Sequence, residues 1–118
     1  MAGYGPNGGV QGICNAVTPF SQTELVTPFT APGTFTAKSL TTVVEYVVVA
    51  GGGGGSTDAG GGGGAGGYRT GSCHPVPASG VAVTVGGGGS GISYPSITRG
   101  GAGSDSIFAT ASSPITST

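Results

Sequence analysis

Charged residues are the scarcest class in this chain. Lys and Arg together number three, Asp and Glu number four, and the formal net charge is −1. Nucleic-acid binding requires a basic surface that neutralises phosphates, and three cations cannot provide one. The composition therefore excludes nucleic acid as a partner.

Large side chains are also few, whereas glycine is abundant. The chain has no Trp, one Met, four Phe and four Tyr, against 28 Gly in 118 residues. Ordering a glycine costs more backbone entropy than ordering any other residue, and a small domain buries a limited fraction of its surface. Backbone hydrogen bonds, a disulfide or assembly must offset this cost. The composition therefore predicts a homo-oligomer, as a filament or a trimer, rather than a free monomer.

Catalytic and cofactor-binding patterns are missing as well. The single histidine, His74, adjoins Cys73, but neighbouring residues of an extended strand point to opposite faces and would not form a nucleophile pair. The glycine run Gly51–Gly67 ends in no Gly-Lys-Ser/Thr and opens no helix, so it fits neither a P-loop nor a dinucleotide site. The carboxylates are scattered. We expect no enzyme, no cofactor and no metal site.

The longest apolar stretch, Val43 to Ala50, contains Glu45 and is too short to span a bilayer. We therefore expect no membrane partner. The start of the chain also lacks the basic and apolar regions of a signal peptide.

The two cysteines, Cys14 and Cys73, are too far apart for a metal motif. Two interpretations stay open. In the first, a disulfide ties the N-terminal arm to the glycine-rich region, which would suit an oxidising compartment. In the second, both cysteines are free thiols.

Short β-branched runs dominate the rest, and no window shows helical periodicity. They predict an all-β fold, a small sheet or sandwich with packed polyglycine segments of polyproline-II type and an extended N-terminal arm. We divide the chain into this arm, residues 1–28, and a glycine-rich β domain, residues 29–118. The main strands are predicted near 34–37, 43–49, 80–86 and 106–110, with weaker candidates at Glu24–Phe29, Ile92–Ile97 and the tail 112–118.

The strand Val43–Val49 is apolar on both faces over its second half. It is either a central strand covered on both sides or one that a partner buries. The strand Val81–Val85, by contrast, has its valines on one face.

Two interpretations compete for the glycine tract 51–71. It could be a flexible linker. Alternatively, its two five-glycine runs, which flank Ser56–Ala59, form paired extended segments in the threefold polyproline-II conformation. We favour the ordered form, because segments without side chains can pack backbone against backbone.

Few side chains remain as candidate functional residues. Tyr68 and Arg69 either contact a receptor or sugar, or cap the glycine layer, with Arg69 donating to backbone carbonyls. Arg99 would do the same for the second glycine stretch, and Tyr94 is a further receptor-contact candidate. His74 is interpreted as a surface residue before a proline.

The motif Val44-Glu45-Tyr46-Val47-Val48-Val49-Ala50, followed by Gly66-Gly67-Tyr68-Arg69-Thr70-Gly71, resembles a glycine-rich domain common in tailed phages. The resemblance covers roughly residues 29–110. Such domains lie in tail fibres and other virion appendages. The resemblance implies a virion or extracellular location and a non-enzymatic structural or adhesive role.

Three functions follow as hypotheses. The first is a structural subunit of a virion-associated or extracellular fibre or filament, self-assembling through β-edges and polyglycine packing. The second is an adhesin module that binds a host-surface glycan or receptor through the loops Ser56–Ala59, Tyr68–His74 and Tyr94–Arg99. An ice-binding protein ranks last, because the runs lack a regular Gly-X-X period.

Overall fold

A computed structural model describes residues 24–57 and 59–118 of the chain. Within them it contains strands but no helix, so the predicted all-β class is confirmed. The six strands are β1 (Gly33–Phe35), β2 (Val43–Val49), β3 (Tyr68–Pro75), β4 (Val81–Thr84), β5 (Ser106–Ala109) and β6 (Ile115–Ser117).

The strands form two antiparallel sheets that face each other. The larger sheet has the order β1-β4-β5-β6, and the smaller one pairs β2 with β3. Buried Val76, Val81, Phe108 and Ile115 form the core, with half-buried apolar residues of both sheets packed against them. Phe35 and Phe108 meet edge to face, with ring centroids 5.8 Å apart. The fold is thus a small sandwich with a thin core.

β2 differs from the central strand that its sequence suggested. Its Val44, Tyr46 and Val48 pack on the core, but Val47 and Val49 are exposed, because nothing in the described residues covers the outer face of the β2–β3 pair. The alternative, burial by a partner, stays a prediction.

Other predictions can be compared strand by strand. β4 directs Val81 and Val83 inward while Ala82 and Thr84 are exposed, as the alternation predicted. The tail forms β6 at the edge of the larger sheet. No strand forms at Glu24–Phe29 or Ile92–Ile97, and those predictions were wrong. Neither segment lies beside a strand of either sheet, and the Ile92 N–H donates to the Gly55 carbonyl instead.

Two long hairpins extend beyond the sheets. β2 leads into glycine residues that turn near residue 57 and return into β3, and β4 leads into a second glycine excursion that returns into β5. The backbone bond from Ala50 N–H to the Gly67 carbonyl, 2.9 Å long, continues the β2–β3 pairing into the glycine region. The sandwich therefore positions a second structural layer made almost only of backbone.

Candidate functional site

Four glycine segments build this layer. We number them in chain order as the first (residues 50–56), second (60–67), third (86–92) and fourth (100–104) glycine segments. The first and second are the arms of one hairpin, and the third and fourth are the arms of the other.

The first glycine segment lies at the centre and hydrogen-bonds to the other three. It donates from residues 50, 53 and 56 to carbonyls 67, 64 and 61 of the second segment. It donates from residues 51 and 54 to carbonyls 104 and 101 of the fourth. Its carbonyls 52 and 55 accept from residues 89 and 92 of the third. Each neighbouring segment is therefore hydrogen-bonded to every third residue of the first segment.

This spacing defines a helix with three residues per turn. A threefold helix directs residues i and i+3 to the same side, which is the geometry of polyproline II. The fourth and third segments are joined with the same period, through bonds from residues 101 and 104 to carbonyls 90 and 87. The ordered interpretation of the glycine tract therefore describes the structure, and the linker interpretation does not.

Close backbone approach explains the glycines on the inner faces. A Cβ at Gly63 would overlap the Gly53 carbonyl oxygen, and one at Gly100 or Gly103 would overlap the carbonyl of Gly54 or Gly51. The hydrogen in the place of each Cβ instead points at a carbonyl oxygen, a weak Cα–H···O contact. These glycines recur every third residue, so side chains are excluded from one side of each segment.

The two hairpin turns meet at the far end of the layer. Thr57 Oγ1 donates to the Ser96 carbonyl at 2.7 Å, and Ser56 Oγ donates to the Thr98 carbonyl at 3.1 Å. Beside these bonds, Tyr94 and Ile97 are 80% and 89% exposed. Two of the three loops predicted for an adhesin thus lie together at this tip, and the polar anchors Thr57 and Ser96 were not singled out from the sequence.

The third predicted loop, 68–74, is not a loop. Tyr68 and Arg69 begin β3, opposite Val49 and Val48 of β2. Tyr68 is 65% exposed. Arg69 is exposed, and its guanidinium donates no hydrogen bond within the described residues, so no contact with the carbonyls of the glycine layer is seen. Both residues lie at the base of the second glycine segment, away from Tyr94.

His74 is a buried residue, and the surface interpretation was wrong. It is only 8% exposed and packs between the rings of Tyr46 and Phe108, 5.5 and 5.9 Å away. Its Nε2 lies 2.8 Å from Thr110 Oγ1, and that hydroxyl donates its single hydrogen to the Ser113 carbonyl. Nε2 therefore carries the hydrogen and donates to Thr110. Pairing of β3 with β2 turns His74 inward, which the sequence around Pro75 did not indicate.

Arg99 lies next to the fourth glycine segment and lines an open groove. This groove, of about 400 Å³, runs between the second and fourth segments over Gly53 and Gly54. Arg99 is exposed and makes no side-chain hydrogen bond within the described residues. Among the described residues that line the groove, Arg99 is the only charged one.

Cys73 is disulfide-bonded and occupies a β3 position with a φ of 55°. The predicted partner, Cys14, lies outside the described residues, so the pairing stays a prediction.

No group of three or more His, Cys, Asp or Glu among the described residues could hold a metal ion. None of the described segments forms a helix long and apolar enough to cross a membrane.

Comparison with known proteins identifies one family. No curated protein and no solved structure matches the chain. The model of a family described as "Glycine-rich domain" matches residues 29–117, which include all six strands and all four glycine segments. The chain therefore belongs to this glycine-rich domain family.

Proposed function

We propose that this domain is a non-enzymatic structural subunit of a virion-associated or extracellular fibre or filament, and that it assembles with further copies of itself. The observation that supports this most directly is the outer face of β2 and β3. Val47, Val49 and Tyr68 are 62%, 51% and 65% exposed there, and Val49 is paired with Tyr68 across the strands. Contiguous apolar exposure of this kind marks association surfaces, and burying it against a copy is favourable.

The scarcity of charge favours the same function. A net charge of −1 provides little repulsion between copies. The resemblance to the glycine-rich domains of tailed phages adds the biological setting, a tail fibre or another virion appendage. Membership of the glycine-rich domain family supports the type of domain, whereas the tail-fibre or virion setting belongs to the proposal.

Sedimentation velocity and electron microscopy of the purified chain test this function. We expect oligomers or filaments whose population grows with protein concentration. The double variant Val47→Thr/Val49→Thr keeps the β-branched shape but adds hydroxyls, and it should weaken association. Ile97→Thr, an equally exposed change at the tip, is the matched control. A wild-type chain that stays monomeric at all concentrations would contradict the proposal.

A second candidate function, recognition of a host-surface glycan or receptor, is favoured by the tip. Tyr94 and Ile97 are presented on a loop that is fixed by hydrogen bonds from Ser56 and Thr57. An exposed aromatic ring on a rigid support, with Arg99 nearby, suits sugar stacking. In a glycan array or a host-cell adsorption assay, Tyr94→Ala should reduce binding, whereas Tyr68→Ala and Arg69→Ala should not. Equal binding by Tyr94→Ala and the wild type would contradict recognition through the Tyr94 ring at the tip.

A further inference from the structure

The second glycine segment contains several glycines that the packing of one chain does not explain. Its inner glycine, Gly63, packs on the first segment. A Cβ added at Gly61, Gly62 or Gly64, however, would meet no atom within 4 Å. The packing of a single chain therefore does not require glycine at these three positions.

The backbone of this segment is also left without partners. The carbonyls of residues 61, 64 and 67 accept bonds from the first segment, but the N–H groups of residues 61–66 donate none to the described part of the chain. Residues 60–66 are all exposed. The first segment, which has neighbours on three sides, donates from five residues. In a threefold helix every third N–H faces the same side, so two of these free donors on one side of the segment can bind another extended backbone.

A groove lies beside this edge. It is bounded by Gly61–Gly64 on one side and by Gly100–Ala102 on the other. The floor is the backbone of Gly53 and Gly54. Apart from Ser56, Arg99 and Ala102, its lining consists of glycine, so the groove admits a backbone but offers few side chains to a ligand.

We propose that the second glycine segment of another copy occupies the groove, antiparallel to the segment that borders it. Each copy carries both the protruding segment and the groove beside it, so one twofold axis lets each segment enter the groove of the other copy. The antiparallel direction is the one that already joins the first segment to the second and to the fourth.

This inference rests on the proposed function, since it names a surface through which copies meet. It assigns one self-association contact to backbone pairing at the glycine layer. This contact is separate from the apolar face of β2 and β3. The two surfaces lie on different parts of the molecule, so a fibre can use one contact to pair copies and the other to extend the chain of pairs.

Sedimentation equilibrium of the full chain tests the proposal with the double variant Gly61→Val/Gly64→Val. The new side chains meet no atom of their own chain, so at concentrations where both proteins are monomeric the unfolding temperature should equal or exceed that of the wild type. They would fill the space that the partner segment needs, and the dissociation constant should rise by about tenfold or more.

Gly87→Val is the matched control, because a Cβ at Gly87 on the third segment also meets no atom within 4 Å. It should associate like the wild type. Wild-type association in the double variant would overturn the proposed contact while leaving self-assembly intact. Equal loss in Gly87→Val would overturn it too, because the effect would then not depend on the second segment. A wild-type chain that never associates would instead remove the proposed function itself.

Discussion

The Cα of Gly63 packs against the carbonyl oxygen of Gly53 so closely that no Cβ fits between them. One residue earlier, a Cβ at Gly62 would meet nothing within 4 Å. In the threefold helix, a position tolerates a side chain only if it faces away from the neighbouring segment, and this difference in tolerance can be measured.

Gly63→Ala should destabilise the domain by about 1–3 kcal/mol, because the backbone must shift to relieve the overlap. Gly62→Ala should leave the free energy of unfolding unchanged or raise it by about 0.4–1 kcal/mol, because alanine reduces the entropy of the unfolded chain. Urea denaturation of the two variants, at concentrations where the chain is monomeric, gives the comparison. Equal effects would contradict the packing of the second segment on the first.

Amide hydrogen exchange should distinguish the glycine segments within one chain. Gly51, Gly53 and Gly54 donate to carbonyls of neighbouring segments at 2.8–2.9 Å and should exchange slowly. The free N–H groups of residues 61–66 should exchange quickly in the monomer. NMR at low protein concentration would show this pattern, and uniformly fast exchange in both segments would mean that the layer is not ordered.

The hydrogen bonds around Thr110 should contribute strongly to stability. Thr110→Val keeps the side-chain shape but removes the oxygen that accepts from His74 Nε2 and donates to Ser113. The buried imidazole N–H is then left without a partner, which costs about 1–3 kcal/mol. Thr84→Val, at an exposed position of β4, is the control and should change the free energy of unfolding by less than about 0.5 kcal/mol. Equal values for the two variants would refute the role assigned to the buried pair.

Leu40 lies in the turn before β2, where the Thr41 N–H donates to the Lys38 carbonyl at 3.0 Å. It is fully exposed and has a φ of 70°, which is unfavourable for a residue with a branched side chain. Leu40→Gly should therefore raise the free energy of unfolding, by up to about 1 kcal/mol. Ser39→Gly, one position earlier, lacks the positive φ and should not stabilise the domain. Thermal unfolding of both variants gives the answer.

The sequence predicted the fold class and the polyproline-II form of the glycine tract, but not how the segments are arranged. β2 and β4 were predictable because β-branched residues fill them. β3 was missed because Gly71 and Pro75 are typical of loops, and its strand form depends on pairing with β2. That pairing also buries His74. Glycine runs carry no side-chain pattern, so the central position of the first segment could not be read from them.

The tip and the core of this domain are separated by backbone alone. Six residues of polyproline II span about 19 Å, and nearly all positions of the first segment over that length are glycine. A substitution at Tyr94 or Ile97 therefore alters no side chain that packs against Phe108. The tip can consequently accept new sequences, including insertions between Ser93 and Ser96, at little cost to folding. The glycine layer thus acts as a spacer that holds the tip away from the core and leaves the surface residues of the tip free to diversify.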